Sequence, residues 1–422
     1  MARTIVEKIF NRRLGREVKI GDIVVAPVDL LVGHDVKTPP ALRLFEDLGG
    51  KLGINPEKVV LFLDHFSPCY DTTRANMSHK VMRDFARTHK AHLYEQGTGI
   101  CHVVIPEDGF ARPGDIIACG DGHAAIYGAV NAFSVAISPT EIATVLKTGK
   151  LWLKIPETIR LNIEGRLPAG TYAKDIILNI IRLIGPEGAN YKMIEVGGEG
   201  LAQLDMDGRF TICSMMMEIG AKSAIFEPDQ RMKAWISAHV PNEADYYPPD
   251  QDAAYAREIT VDISSLAPLI VAPHEIGNIE AVSTFEGLEV DQVFIGSCTN
   301  AYYEDLRTAA ALLKNRKVPS TVRLVVAPGS RKIYRKALAD GILEALFEAG
   351  AHILPPSCGV CVGLNGNFLP ADGEVVLSTA NHNNKGRLGS EAASVYLSSP
   401  ATAAASAFFG KITDPRKLLG DV

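Results

Sequence analysis

The sequence predicts an α/β fold divided into several domains. Short apolar runs alternate along the chain with longer segments of helical periodicity, as in layered structures that pack helices on a mostly parallel sheet. The chain has 422 residues. A single hydrophobic core rarely grows to that size, so two or three domains are expected.

The first predicted domain covers residues 1–134. Its elements are read from apolar runs that are bounded by Gly, Pro or charged residues, and from helical spacing of apolar residues. The predicted strands are 21–27, 59–64, 102–106 and 115–120, and the predicted helix is 77–89.

The second predicted domain covers residues 135–275. Residues 151–167 alternate between apolar and polar like strands, and residues 173–184 have helical spacing. Residues 241–278 are rich in Pro and have little periodicity, which predicts a connector with one strand at 259–263.

The third predicted domain covers residues 276–422 and has the clearest alternation of strands and helices. Its predicted strands are 290–296, 321–327 and 351–355, and its predicted helices are 304–314 and 332–349.

Composition and charge narrow the class of protein. The chain is 47% hydrophobic and 22% charged, with a net charge of −6, which argues against broad nonspecific binding of nucleic acid. It has no apolar run of 18 residues and no apolar signal segment at its start, so a cytoplasmic location is expected. The seven cysteines are an odd number. In a reducing compartment they indicate metal binding or catalysis rather than disulfides.

Three cysteines near the C-terminal end form the most informative pattern. Cys298 lies in Gly-Ser-Cys-Thr-Asn, and Cys358 and Cys361 lie in Ser-Cys-Gly-Val-Cys. Both motifs follow predicted strands, so we expect them at the carboxyl ends of a parallel sheet, where α/β proteins bind ligands. A 4Fe–4S cluster takes four thiolates, one for each iron. Three thiolates leave one iron open as a Lewis acid, which favours an enzyme over an electron carrier.

Other interpretations of these cysteines stay open on spacing alone. A zinc site of the three cysteines and one histidine is an alternative, although a zinc ribbon usually has a second Cys-x-x-Cys. Buried structural cysteines are another. The remaining cysteines lie among apolar or small residues and are interpreted as structural: Cys69, Cys101, Cys119 and Cys213.

Paired histidines and carboxylates earlier in the chain supply groups that a dehydration needs. Such a reaction requires an acid for the departing hydroxyl and a base for the C–H proton. Asp64-His65 ends a predicted strand, and His102 and Asp121-Gly-His123 are further candidates. Each taken alone is more often a histidine with a structural hydrogen bond. Glu218 follows an apolar run, where an unpaired carboxylate is costly to bury, so a histidine partner is expected.

Four motifs in order along the chain resemble the aconitase superfamily. They are Gly-Ser-Cys-Thr-Asn at 296–300, Ala-Pro-Gly-Ser-Arg-Lys at 327–332, Pro-Ser-Cys-Gly-Val-Cys at 356–361 and Lys-Gly-Arg-Leu-Gly at 385–389. The chain length and the ending, Ser-Pro-Ala-Thr-Ala-Ala-Ala-Ser at 399–406 and Gly-Lys-Ile-Thr-Asp-Pro-Arg at 410–416, resemble the large subunits of isopropylmalate isomerases and homoaconitases. The similarity covers nearly the whole chain. It implies three α/β/α domains around a central iron–sulfur site, without the swivelling fourth domain.

The resemblance also implies roles for individual residues. Cys298, Cys358 and Cys361 would hold a 4Fe–4S cluster with one iron not bound by cysteine. Asp64 and His65 would protonate the departing hydroxyl, with His102 and His123 as further active-site imidazoles held by Asp121 and Glu218. Arg387 would bind a substrate carboxylate, with Asn381, His382 and Ser214 nearby. The catalytic base would come from a separate small subunit in a heterodimer or heterotetramer.

Four positions depart from the family's pattern in the expected substrate shell. Pro40 stands where the family has Gln, Gly122 where it has Ser, Ser214 where it has Asn, and His382 where it has Arg. Each charged hydrogen bond lost in this way costs about 1.5–3 kcal/mol. The chemistry is therefore expected to be kept, while the identity of the hydroxy acid stays open.

These observations predict an iron–sulfur hydro-lyase subunit that dehydrates and rehydrates a 2-hydroxy di- or tricarboxylic acid, most like 3-isopropylmalate. The first alternative is a divergent paralogue that acts on another hydroxy acid, of the homoaconitate or dimethylmalate type. A non-catalytic or RNA-binding regulatory protein is the other, and the acidic charge weighs against RNA.

Overall fold

The computed structural model describes residues 2–419 and has a mixed α/β architecture. The helices are α1 (Ile5–Leu14), α2 (Thr38–Asp47), α3 (Thr72–His89), α4 (Cys101–Glu107), α5 (Pro139–Thr148), α6 (Ala173–Ile184), α7 (Met206–Met215), α8 (Gln230–His239), α9 (Tyr303–Leu313), α10 (Arg331–Ala339), α11 (Ile342–Ala349), α12 (Pro400–Phe409) and α13 (Arg416–Leu419). Among these residues no helix combines the length and the apolar character needed to cross a bilayer.

The strands are β1 (Ile23–Pro27), β2 (Leu30–His34), β3 (Val59–Phe62), β4 (His92–Tyr94), β5 (Ile116–Cys119), β6 (Phe133–Ala136), β7 (Lys150–Lys154), β8 (Thr158–Glu164), β9 (Met193–Gly197), β10 (Ser223–Phe226), β11 (Arg257–Asp262), β12 (Leu269–Val271), β13 (Ile279–Ala281), β14 (Gln292–Ile295), β15 (Arg323–Val326), β16 (His352–Ile353), β17 (Val375–Ser378) and β18 (Ser394–Leu397). A small antiparallel ribbon pairs β1 with β7.

Three larger sheets carry the architecture. The first has the order β4-β3-β2-β5-β6 and is parallel throughout. The second, β10-β9-β8-β11, is also parallel. In the third, β13-β12-β18-β17-β14-β15-β16, β12 pairs antiparallel with both β13 and β18, and the other pairings are parallel. The limits 134/135 and 275/276 remain predicted domain boundaries.

Strands β2, β3, β5 and β14 are buried along their whole length. Both faces of such strands are covered, which explains their continuous apolar sequence. The polar residues that follow them therefore emerge together at the carboxyl edges of the sheets.

Three sequence predictions of secondary structure were wrong. Residues 102–106 form helix α4 rather than a strand, because α4 is buried along nearly its whole length and so has no polar face to reveal its period. The predicted helix 332–349 is two helices, since Gly341 has φ +71° between them. The connector 241–278 holds β12 as well as β11.

A buried lysine joins α6 to the end of strand β17. Lys174 is fully buried, and its Nζ donates to the carbonyl oxygens of Thr379 (2.9 Å) and Ala380 (2.7 Å). Burial lowers the pKa of Lys174 to about 8, so the group is still mostly an ammonium at neutral pH. These carbonyls immediately precede Asn381, so the contact also positions the loop that follows β17.

We predict that Lys174→Ala lowers the thermal midpoint of unfolding by roughly 5 °C. The change removes the charged donor of two buried carbonyls and opens a cavity, a combined cost of about 3 kcal/mol. Differential scanning calorimetry measures it. Lys80→Ala is the control, because the Lys80 side chain is 75% exposed. Equal midpoints for the two variants contradict the stabilising role of Lys174.

Candidate active site

The three predicted cluster cysteines lie in two loops of the third sheet. Cys298 follows β14, and Cys358 and Cys361 follow β16. All three are buried. Ser297 has φ +76°, a backbone conformation that is costly for a residue other than Gly and that turns the chain sharply before Cys298. A Cβ at Gly363 meets the Arg387 carbonyl oxygen at 2.5 Å, so only Gly lets these two loops approach.

Polar side chains surround the sulfur atoms. Asn381 lies between two of them, with Nδ2 3.5 Å from Cys298 Sγ and Oδ1 3.4 Å from Cys361 Sγ. Ser297 Oγ donates to Cys361 Sγ at 3.5 Å, and a guanidinium nitrogen of Arg387 lies 3.8 Å from the same sulfur. Ser214 Oγ is 3.8 Å from Cys298 Sγ. Such N–H and O–H donors stabilise thiolates that bind a metal cluster.

The donor set fits a cluster better than a single zinc ion. Ligand atoms on one tetrahedral zinc are about 3.8 Å apart at most, given Zn–S bonds of about 2.3 Å. Within residues 2–419 the three cysteine sulfurs do not all lie within 4.8 Å of one another. No fourth cysteine among these residues lines the cavity they share. Three thiols facing one cavity match a cluster with three cysteine ligands.

Asp64 and His65 form a close pair at the end of β3. Asp64 Oδ1 lies 2.8 Å from His65 Nδ1, while Asp64 Oδ2 accepts the Cys101 backbone N–H at 2.8 Å, at the start of α4. The Cys358 backbone N–H donates to the Asp64 carbonyl oxygen at 3.1 Å, which joins this pair to the cysteine loop. The first and third sheets therefore meet at His65.

Asp121 connects three imidazoles. Its carboxylate oxygens lie 3.2 Å from His65 Nε2, 2.8 Å from His102 Nε2 and 3.3 Å from His123 Nδ1. The other nitrogen of His123 is 3.2 Å from Glu218 Oε1. The partners predicted for Asp121 and Glu218 from the sequence are thus in contact.

In this network the oppositely charged partners shift the pKa values of His65 and Asp121 more than burial does. Burial alone lowers the pKa of His65, but the Asp64 carboxylate and the hydrogen bonds of Asp121 and Asp64 raise it well above its usual value. Burial likewise opposes ionisation of Asp121, yet His102 and the hydrogen bonds from the three imidazoles hold its pKa well below the usual range. A histidine that keeps its proton in this way is suited to act as an acid.

The cavity has a volume of about 290 Å³ and brings together residues from the first and third sheets or the loops beside them. Its lining residues are His34, Val36, His65, Ile100, His102, Asp121, Gly122, His123, Cys298, Cys358, Cys361, Val362, Leu364, Asn381, His382 and Arg387. Asp64, Glu218 and Ser214 lie behind this wall and contact it through His65, His123 and Cys298.

Pro40 is not part of this cavity, contrary to its predicted place in the substrate shell. It is exposed on α2 and lines a separate cavity with Asp35, Arg43 and Arg74. Gly122 and His382 do line the cavity, so two of the four departures face it directly.

The structure adds two residues that the sequence interpretation missed. His34 lines the cavity, and its ring lies 4.3 Å from that of His65. Burial, followed by the charge of His65, lowers the pKa of His34 to about 4. Asp35 accepts the backbone N–H groups of His65 and Phe66 at 3.1 and 3.0 Å. The sequence does contain a signal for these two residues, because His34-Asp35 is a polar pair directly after the apolar run 30–33. Asp64-His65 follows the apolar run 59–63 in the same way.

Comparison with known proteins gives consistent matches along the chain. The model of the aconitase family (aconitate hydratase) matches residues 7–410. The 3-isopropylmalate dehydratase large subunit 1 of Methanopyrus kandleri is 43% identical over 420 residues, covering 99% of this chain and 100% of that protein. The protein of the same name from Archaeoglobus fulgidus is 43% identical over 422 residues, with the same coverage of each chain.

Two further proteins extend the comparison. The Methanothermobacter thermautotrophicus protein named "probable methanogen homoaconitase large subunit" is 41% identical over 423 residues, covering 99% of this chain and 98% of that protein. The crystal structure of Thermococcus kodakaraensis aconitase X (holo-form) superposes with a TM-score of 0.53 at 13% identity, covering 90% of each chain. At that identity it supports the fold alone.

We predict that Asp121→Asn lowers the pKa of both His65 and His123. The amide keeps the shape of the side chain but removes the negative charge and the charge-assisted hydrogen bonds that favour the imidazolium. NMR titration of the ¹⁵N-histidine-labelled chain without metal measures both values. The exposed His92 is the control, because no hydrogen bond or ion pair joins it to Asp121 within the described residues. If His65 and His123 titrate as in the wild type, Asp121 is not the group that holds their protons.

Proposed function

This chain belongs to the aconitase family, and on that premise we propose that it is the large subunit of a hydro-lyase that interconverts 2-hydroxy di- or tricarboxylic acids through an alkene, as in 3-isopropylmalate dehydratase. One observation carries the proposal. Three buried thiols, Arg387 and His65, which is paired with Asp64, face a single cavity.

The proposed cofactor is a 4Fe–4S cluster held by Cys298, Cys358 and Cys361. When bound, it supplies a Lewis-acidic iron that is not bound by cysteine and that polarises a hydroxyl or carboxylate of the substrate. Asn381, Ser297 and Arg387 direct hydrogen-bond donors at the cysteine sulfurs. Their contribution is to stabilise the thiolates.

His65 is the proposed general acid. His65 lines the cavity, and Asp64 and Asp121 favour its protonated form. In dehydration the proton moves from His65 to the substrate hydroxyl, the C–O bond breaks and water leaves. The proton of the neighbouring C–H is taken by a base, and its electron pair forms the double bond. Addition of water in the other orientation gives the isomer.

Substrate binding is assigned to Arg387 and to polar residues that line the cavity with it. Arg387 presents a planar guanidinium that matches a carboxylate through two parallel hydrogen bonds. Asn381 and His382 line the cavity beside it, and His102 and His123 complete the wall. Ser214 acts through its contact with Cys298.

The catalytic base is proposed to come from a small subunit that carries the swivelling domain. The matched relatives are named as large subunits, which implies such a partner. Large and small subunits would form a heterodimer or heterotetramer. A cytoplasmic location is proposed with it, since every cysteine in the chain is free and a cluster with an open iron requires reducing conditions.

We predict that the chain, loaded with its cluster anaerobically and mixed with its small subunit, converts a hydroxy acid of this class to an alkene with absorbance in the ultraviolet. His65→Gln should lower kcat by about 100-fold or more, because glutamine cannot transfer a proton. His92→Gln, at an exposed position of strand β4, is the control.

Either of two results contradicts the proposal. One is an absence of turnover with every 2-hydroxy di- and tricarboxylate, although the cluster is intact and the small subunit is bound. The other is a kcat of His65→Gln equal to that of His92→Gln, which removes His65 as the acid.

A further inference from the structure

Two imidazoles and one carboxylate meet at the wall of the cavity. Glu218 Oε1 lies 3.2 Å from His123 Nε2, and Glu218 Oε2 lies 3.4 Å from His382 Nδ1. The centres of the two imidazole rings are 5.0 Å apart. One ligand atom of each residue lies within 4.8 Å of the ligand atoms of the other two. Imidazole nitrogen and carboxylate oxygen are both common ligands of zinc and of related divalent ions.

The two distances to Glu218 suit a metal ion held in common. Hydrogen bonds from N–H to oxygen are usually about 2.7–3.2 Å long, so the first contact lies at the limit of this range and the second lies beyond it. Zinc binds nitrogen and oxygen at about 2.0–2.1 Å, which places two ligand atoms of a tetrahedral ion about 3.3 Å apart. The observed separations of 3.2 and 3.4 Å lie on either side of this value.

Asp121 provides the support that a metal-binding imidazole needs. Asp121 Oδ1 lies 3.3 Å from His123 Nδ1, the ring nitrogen that does not contact Glu218. A histidine that binds a metal usually donates its second ring N–H to a carboxylate, which fixes the tautomer and leaves the other nitrogen free as a ligand. His123 has this arrangement, with Nε2 as the nitrogen left for the metal.

The three residues leave one side open to the cavity. His123 and His382 line the cavity, and the side chain of His382 is 28% exposed. Glu218 lies behind them, with a side chain that is only 8% exposed. Zinc sites that bind a substrate typically have three protein ligands and one open position. A carboxylate oxygen of a ligand in the cavity can take that position.

A second group of histidine and carboxylate side chains does not support the same inference. His34, Asp35 and His65 also have ligand atoms within 4.8 Å of one another. The oxygens of Asp35 already accept the backbone N–H groups of His65 and Phe66. His79 Nε2 lies 2.9 Å from the same carboxylate. This group is therefore satisfied by hydrogen bonds within the protein.

We propose that His123, Glu218 and His382 bind one divalent metal ion of the zinc type, at a site separate from the three cysteines, and that the open position of this ion accepts a carboxylate. Position 382 is decisive, because an arginine there stays protonated and has no lone pair for a metal. The departure from the family's arginine thus adds a ligand. The metal site does not depend on the proposed function, whereas a hydroxy acid as the source of the carboxylate does.

X-ray absorption spectroscopy at the zinc edge tests where the ion binds. The sample is the full chain, loaded with its cluster anaerobically and then given one equivalent of zinc. The expected first shell contains nitrogen and oxygen at about 2.0–2.1 Å and no sulfur at about 2.3 Å. A sulfur shell would show that zinc has gone to the cysteines and would overturn the proposal. Iron content of the same samples reports the cluster separately.

Isothermal titration calorimetry with zinc chloride tests which residues are ligands. His382→Arg and Glu218→Gln each remove one ligand and should lower the affinity by about 100-fold or more, the upper end of the loss seen when only an outer partner is removed. His92→Gln is the control and should bind zinc like the wild type. The thermal midpoint of each variant establishes that it is folded. Equal zinc affinities of His382→Arg and the wild type would overturn the proposal.

Succinate, a dicarboxylate without a hydroxyl group, tests the open position. Bound zinc should raise the affinity of the wild-type chain for succinate by about tenfold, the effect of one charged interaction, and should leave that of His382→Arg unchanged. An affinity that zinc does not raise in the wild type rejects the carboxylate role. A complete assembly that binds zinc at this site but converts no hydroxy acid contradicts the proposed function and leaves the metal site standing.

Discussion

Three sulfur atoms from two separate loops must face the same cavity, and most of the site depends on this constraint. The two loops follow β14 and β16, which are parallel strands on either side of β15. Sheet register therefore fixes the separation of the loops. Asn381, from the loop after β17, lies between Cys298 and Cys361. Lys174 in turn holds the carbonyl that precedes Asn381. The position of the sulfurs is therefore set by backbone hydrogen bonds, with a few buried side chains fixing the loops.

The acid–base network is a second constraint, because it buries ionised groups that must remain paired. Asp64, His65, Asp121, His123 and Glu218 form one continuous chain of contacts of 3.3 Å or less. An ion left unpaired at such depth costs several kcal/mol, roughly the loss expected when one partner of a buried pair is removed. The network therefore holds protons next to the cavity, and its ion pairs also help to fix the relative positions of the sheets.

Sequence alone predicted the motifs better than their surroundings. Cys298, Cys358 and Cys361 were expected after strands and are there, because polar residues after buried apolar runs emerge at the edge of a parallel sheet. Helix α4 was missed, since a helix buried along nearly all its length shows no period. Pro40 was placed in the wrong cavity, and the sharing of Glu218 between His123 and His382 was not foreseen. Both depend on contacts between segments far apart in sequence.

We propose that Cys298, Cys358 and Cys361 hold a cluster whose fourth iron is left for the substrate. Mössbauer spectroscopy of the ⁵⁷Fe-loaded chain, assembled anaerobically with its small subunit, distinguishes this iron from the other three. We expect that a hydroxy acid changes the signal of one iron in four and that Cys298→Ser loses the cluster. Cys213→Ser should retain the cluster, because the Cys213 thiol donates to the Ala125 carbonyl oxygen instead. Iron sites that all stay unchanged when the acid is added, or a cluster retained by Cys298→Ser, would contradict this proposal.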